Sequence, residues 1–307
     1  MRIALVGAGR MGQVHLRALR ACDLIELVGV VEPAAGPREQ LGEAGIRTYG
    51  TLDELLGDPD ASLEGVLIAA PSDQHVALVC QCVAAGLSVL CEKPLGVRSS
   101  DAEQATAAAS DAGVVLQVGY WRRFVPALRE LRERIAAGQL GEIYQLSCMQ
   151  WDEEPPRAEF RAASGGIAID MGVHEFDQLR WLTGQDISSL AVVASGRAPD
   201  GIADVDGAQV IVSLSGGGCG FISLGRYYPA GDAVWAEVFG TRGSERCEVI
   251  DPAEGERAQL EALRRQAEGF AQFAAGAPCA GATADDAVAA LTAAELVTAA
   301  IPAMTAP

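Results

Sequence analysis

Histidine, basic charge and long apolar stretches are all scarce in this chain. Its 307 residues include three histidines, and 23 Lys and Arg stand against 41 Asp and Glu, a formal net charge of −18. Such a field repels phosphate backbones and anionic lipid, so nucleic acid and membrane partners are disfavoured and a small molecule is the expected partner. Apolar runs such as 66–70 are strand-sized, far below the roughly 20 residues a membrane helix needs. The opening run Ile3 to Val6 is too short for the core of an export signal, which makes the cytoplasm the expected compartment. The eight cysteines form no CxxC pair. With so few histidines they offer no zinc-type spacing, so no metal is expected and the thiols are read as reduced and mostly buried.

Half of the residues are hydrophobic, and the length exceeds the size at which one core usually stops growing, which predicts two domains. From residue 1 to about 120, short β-rich runs alternate with helical segments, the pattern of βαβ units around a doubly wound parallel sheet. Strands are expected at Ile3 to Val6, Leu27 to Val31, Gly65 to Ala69, Ser88 to Cys91 and Val114 to Val118. Helices are expected at Gly12 to Arg20, His75 to Ala85 and Asp101 to Ala112, the last capped by Ser99 or Ser100. Residues 121–307 read differently. Helices near Pro126 to Ala137 and Ile169 to Leu182 and strands at Glu142 to Trp151 and between Leu190 and Ile250 predict an α+β domain with a large open, mainly antiparallel sheet. A helix from Asp285 to Ala300 closes the chain.

Gly7, Gly9 and Gly12 spell GxGxxG directly after the first strand and at the mouth of the first helix, the context that makes this motif a dinucleotide-binding Rossmann signature. One glycine permits the tight turn, one the approach of a pyrophosphate, and one close helix-to-strand packing, while the helix N-terminus offers free N–H groups. Arg10 and Met11 lie within this loop. Glu32, twenty residues after Gly12, stands where a carboxylate accepts hydrogen bonds from the adenosine ribose and opposes a 2′-phosphate, so NAD is the expected cofactor. The alternative for Glu32 is a solvated acid at a strand end.

Ala70-Pro71-Ser72-Asp73-Gln74-His75 after the third expected strand and Cys91-Glu92-Lys93-Pro94-Leu95 after the fourth continue into Gly119-Tyr120-Trp121-Arg122-Arg123-Phe124. Ser164-Gly165-Gly166 then precedes Asp170, His174 and Asp177. Across nearly its whole length the chain thus resembles the glucose-fructose oxidoreductase, inositol dehydrogenase and MocA family, nearest in motif to the inositol 2-dehydrogenases. The resemblance implies a catalytic triad of Lys93, Asp170 and His174, cofactor contacts at Ala70, Pro71, His75, Glu92 and Lys93, and a cis Lys93-Pro94 peptide. It also implies a substrate contact at Asp152, with Arg122 and Arg123 as candidates for contact with substrate hydroxyls or cofactor, and a homo-oligomer, dimer or tetramer, paired through the C-terminal sheet.

The residues suit that chemistry. Asp170, His174 and Asp177 are spaced i, i+4 and i+7 on a predicted helix, which places all three on one face where they could converge. An imidazole suits removal of a hydroxyl proton near neutral pH, and a lysine suits stabilisation of the developing negative oxygen. Plainer readings remain open at this point: a structural Asp-x-x-x-His pair, an Arg122/Arg123 pair serving only the fold, a solvated acidic loop at Asp152, and His15 as a packing residue. Val125 and Asp232 depart from the inositol dehydrogenase pattern on the substrate side. The expected function is NAD-dependent oxidation of a secondary alcohol of a cyclitol or sugar. The rivals are a related sugar or aminocyclitol oxidoreductase, an NAD-dependent glycosidase, and a dinucleotide-binding regulator without turnover.

Overall fold

The computed structural model describes residues 1–196, 204–251 and 256–301. The chain divides into two compact units, one of Met1–Trp121 with Leu260–Val288, the other of Arg122–Gln259 with Ala289–Pro307.

The first unit strings together β1 (Arg2–Val6), α1 (Arg10–Leu19), β2 (Glu26–Val31), α2 (Ala35–Glu43), β3 (Thr48–Tyr49), α3 (Leu52–Leu56), β4 (Gly65–Ile68), α4 (His75–Ala84), β5 (Ser88–Cys91), α5 (Ser99–Ala112) and β6 (Leu116–Val118). These strands are parallel in the order β6-β5-β4-β1-β2-β3. They are near-continuous runs of Val, Ile and Leu because both faces of such a sheet are covered. Ile3, Leu5, Leu67 and Leu90 belong to one buried cluster with Leu16, Leu19 and Phe270, each large side chain contributing about 1.5–3 kcal/mol by leaving water. Phe270 comes from α9 (Arg257–Ala274), and beyond it β13 (Ala282–Thr283) pairs antiparallel with β6. The first unit therefore takes back a late segment of the chain. Arg98, not a serine, is the N-cap of α5, which begins at Ser99.

The second unit holds α6 (Pro126–Ala136), β7 (Ile143–Trp151), α7 (Ala158–Ala163), α8 (Val173–Thr183), β8 (Ile187–Ser195), β9 (Gly207–Leu214), β10 (Cys219–Gly225), β11 (Ala233–Gly240) and β12 (Gly243–Ile250). Its sheet runs β12-β11-β7-β10-β9-β8, antiparallel except for the β7/β10 pair. Alternation is clean on β9, where Val210 and Val212 are buried while Ile211 is exposed. α8 packs against β7 and ends at Gly184 in the left-handed conformation, the expected C-terminal glycine. α10 (Ala284–Ala300) is the final helix of the described residues.

Among the described residues, no helix is long and apolar enough to cross a membrane, and no cluster of His, Cys, Asp and Glu could hold a metal. None of the eight cysteines is in a disulfide.

Candidate active site

In the first unit the glycine loop is a cradle of backbone. Gly7 adopts φ +93, and a Cβ there would lie 2.6 Å from the Ala69 carbonyl oxygen. A Cβ on Gly12 would lie 2.1 Å from the Gly7 oxygen, so strand and helix touch through glycine alone. At Gly9 the same test finds open space, nothing within 4 Å. Gly9 is the N-cap of α1, its first turn carries no acid, and no side chain caps it. Those free N–H groups and that open approach fit a pyrophosphate. Arg10 and Gly9 are exposed, and Met11 is half-buried.

Glu32 follows β2 beside this loop. One of its oxygens accepts from the Ala8 amide at 2.8 Å, the other from the Ala34 amide at 2.9 Å. Arg38, the first arginine after it, donates to the carbonyl oxygens of Glu32 and Pro33. The residues therefore fit NAD: backbone for the pyrophosphate, a fixed carboxylate for a ribose diol.

Parallel register brings the ends of β1, β4 and β5 level, with Val6 opposite Ile68 and Ile68 opposite Cys91. The glycine loop, Ala70-Pro71 and Glu92-Lys93 thus leave one carboxyl edge of the sheet, the edge at which ligands of open α/β sheets bind. Lys93 is half-buried there, and its bond to Pro94 is cis. His75 directs Nδ1 to the Pro94 oxygen at 2.7 Å and Nε2 to the Ala70 oxygen at 2.9 Å. Glu92, buried, accepts from His15 Nε2 at 2.6 Å and from the Lys93 amide at 3.1 Å. The side chains of His75 and Glu92 are committed to protein partners.

The second unit gathers charge instead. Gly165 and Gly166 both take positive φ, a conformation nearly closed to other residues. They lead into a single π-helical turn, Ala168–Gly172, that carries Asp170 and runs on into α8 with His174. Such wide turns recur at functional sites. The turn is wider than an α-helical one, and Asp170 and Asp177 are directed to different arginines. Asp177 turns to Arg123, 3.0 Å from Nε to Oδ2. Glu175 pairs with Arg122, whose Nη2 also donates to Gln150 at 2.8 Å. Burial pushes the Glu175 carboxyl up, although Arg122 opposes it. Both arginines of the pair are buried against α8.

Asp170 takes Arg226, which is wholly buried and donates from Nη1 at 2.8 Å. The same Nη1 lies 3.8 Å from Asp152, and Nη2 lies 3.4 Å from Asp204. Arg161 holds Asp204 and Asp206 at 2.8 and 2.9 Å. Asp204 in turn accepts from the Ile167 amide at the start of the turn that carries Asp170. Two guanidinium groups therefore serve four carboxylates. Asp152 is pushed up to about 6, by burial first and then by the charge of Asp170, with Arg226 opposing. Asp232, which raises Asp152 further, accepts from the Glu153 amide. His174 itself is buried.

Arg226, Arg161, Asp204 and Glu175 escape a reading of motifs, because each acts through a partner far away in sequence. One signal was there: Ile222 and Leu224 face inward on β10, and Arg226 continues that parity as a lone charge.

Comparison with known proteins agrees with this geometry. Residues 1–120 match the family described as "Oxidoreductase family, NAD-binding Rossmann fold", and residues 128–246 match the "GFO/IDH/MocA C-terminal domain". The chain is similar to the rhizopine catabolism protein MocA of Rhizobium meliloti, 50% identical over 97% of this chain and 94% of that one. It is 32% identical to the scyllo-inositol 2-dehydrogenase (NAD(+)) of Bacillus subtilis, over 80% of this chain and 72% of the other. The crystal structure of a myo-inositol dehydrogenase from Corynebacterium glutamicum superposes with a TM-score of 0.88 at 27% identity, covering 98% and 96% of the two chains. The chain belongs to the Gfo/Idh/MocA family of NAD-dependent oxidoreductases.

Proposed function

We propose that the enzyme oxidises a secondary alcohol of a cyclitol or related sugar, with Lys93, Asp170 and His174 as its catalytic groups. The observation that carries this reading is the shared edge of the parallel sheet, where the cradle for a dinucleotide and the ammonium of Lys93 follow strands in level register. Similarity to enzymes named for inositol oxidation supports the substrate class.

Bound NAD supplies the hydride acceptor, and the glycine loop with Glu32 would hold it. The protein's own part is proton and charge management. His174 takes the hydroxyl proton, since an imidazole titrates near the working pH. Lys93 stabilises the negative charge that develops on the same substrate oxygen. Asp170, anchored by Arg226, fixes the local field in which His174 gains its charge. Arg122 and Arg123 hold α8 through Glu175 and Asp177 and so set the orientation of His174.

A second reading is favoured by one observation, the four carboxylates shared by two guanidinium groups. The carboxylates gathered around Asp152 and Asp170 suit an ammonium-bearing cyclitol. A panel of inositol isomers, hexoses and aminocyclitols, assayed for NADH formation with NAD and with NADP, separates the two readings. Absence of net NADH with every free polyol and aminocyclitol would remove both in favour of a glycosidase or a regulator.

We also propose that the outer face of the second unit's sheet pairs two copies of the chain. Val193 and Ile211 are 72% and 59% exposed there, and exposed apolar side chains on an open sheet face mark an interaction surface. Light scattering should return a multiple of the 31.9 kDa chain mass, and Ile211→Lys should reduce it. A monomer at all working concentrations would refute this assembly.

A further inference from the structure

We infer that His15 and His75, two of the three histidines in the sequence, are positioning residues that brace the turn bearing Lys93 from its two sides. This inference rests on the assignment of Lys93 proposed above.

On the upstream side, the residue before Lys93 is tied to the cofactor helix. His15 lies on α1, is 2% exposed, and donates to the Glu92 carboxylate at 2.6 Å. The same carboxylate accepts from the backbone amide of Lys93. Space for this comes from Gly119, where a Cβ would lie 3.0 Å from both Cα and Cδ of Glu92. Burial alone would push Glu92 up, but the bond and charge of His15, with the charge of Lys93, prevail and hold it below its ordinary range. An ionised, buried carboxylate is a strong and directional acceptor, and its charge-assisted bonds leave the turn little freedom.

On the downstream side, the residue after Lys93 is tied to the loop that follows β4. Both ring nitrogens of His75 face carbonyl oxygens, those of Pro94 and Ala70. The ring is 1% exposed. One imidazole thus clamps two loops of the same sheet edge, and an unbroken hydrogen-bonded arc runs from α1 through His15, Glu92, Lys93, Pro94 and His75 to Ala70.

A histidine that merely fills a core can bond to any convenient carbonyl. These two bond to the residues immediately before and after the proposed oxyanion stabiliser. A group that must meet one substrate oxygen loses on the order of 10²-fold in rate for a displacement of about 1 Å, which gives such a brace a function in turnover.

The test is a double-mutant cycle on the holoenzyme with its polyol. Lys93→Met is measured first, in single turnover so that a residual rate is readable. His15→Leu and His75→Leu are each expected to lower kcat by about 10- to 100-fold while the Kd for NADH, read by fluorescence, stays within about threefold. Combined with Lys93→Met, neither should lower the residual rate further, because both act through the missing amine. His15→Gln, which keeps a donor for Glu92, should recover most of the lost kcat. If His15→Leu does not fold, Glu92→Gln enters the cycle in its place. Losses that multiply with Lys93→Met, or unchanged kcat in both histidine variants, overturn the brace and leave the Lys93 assignment standing. Wild-type turnover in Lys93→Met removes that assignment, and the brace with it.

Discussion

The cofactor cradle of the first unit and the carboxylate cluster of the second are made of different materials. The cradle is backbone: glycines in contact with carbonyls, a helix N-terminus, and a carboxylate held by two amides. The cluster is paired charge, with buried Arg122, Arg123, Arg161 and Arg226 each set against acids. Backbone recognition asks for a pyrophosphate, which every dinucleotide offers. A charge cluster can be reset by single substitutions, and under the proposed function that is where substrate preference would be tuned. Binding should therefore be lost most readily in the first unit, and stability and pH response in the second.

The largest effect expected breaks the comparison at the chemical step. His174→Ala should lower kcat by about 10² to 10⁴ with NADH binding intact, since general acid-base contributions are of that size. Oxidation by the intact enzyme should rise with pH as the imidazole becomes free to accept a proton, and that limb should vanish in the variant. Wild-type kcat with an unchanged limb would make His174 structural.

Next in size is a contrast between Arg226 and Gly9. Arg226→Met leaves Asp170 and Asp204 without their buried cation, and breaking such a pair from one side costs about 3–5 kcal/mol. Urea unfolding should show it, and Arg226→Lys should recover part. Gly9→Ala places a Cβ in open space, so unfolding should be nearly unchanged while the Kd for NADH rises at least about tenfold. Equal destabilisation by the two substitutions would erase the distinction between the halves.

What was legible in the sequence follows the same division. Glycine spacing, strand parity and the acid after β2 announce themselves locally, so the parallel sheet and its cofactor loop could be read from residues 1–120. α2, β3 and α3 were not read, since two residues of strand and five of helix carry no periodicity. Nor was α9, which with β13 joins the first unit from beyond residue 259. In the second unit the strands were visible but the charge pairs were not. Arg122 meets Glu175 and Arg226 meets Asp170, and no local pattern links positions that far apart. The wide turn at Asp170 was not read either, because its extra residue leaves no mark in composition. His15 looked like packing, and it is buried, but its ring is bonded to Glu92.

A smaller effect sharpens the contrast through pH. Asp152 regains its proton near 6 in the folded protein, against about 3.9 in an unfolded chain. Between those values the unfolded state binds fewer protons, so this group makes stability fall as pH rises from about 4 to about 6. Asp152→Asn should therefore stabilise the protein above pH 6 by about 1–2 kcal/mol and leave it unchanged below about pH 4. Thermal unfolding across that range checks the sign, and stabilisation that is uniform with pH would show that the carboxyl is not the source.

The smallest effect returns to the first unit and asks whether any part of its recognition rests on a side chain. Glu32 holds its carboxylate against the Ala8 and Ala34 amides, and in that place it can accept from a ribose diol and repel a 2′-phosphate. Arg38 lies close by, with its Nη1 donating to the carbonyls of Glu32 and Pro33. Glu32→Ser removes an acceptor that serves NAD and a charge that opposes NADP, so both changes move the preference in one direction. A hydrogen bond to a charged group is worth roughly 1.5–3 kcal/mol, so kcat/KM for NAD should fall at least about tenfold. NADP should lose less, or gain through the charge of Arg38. The ratio of the two kcat/KM values is the measurement, because any general loosening of the glycine loop from the lost amide bonds cancels in it. An unchanged ratio would mean that discrimination, like recognition of the pyrophosphate, belongs to the backbone alone.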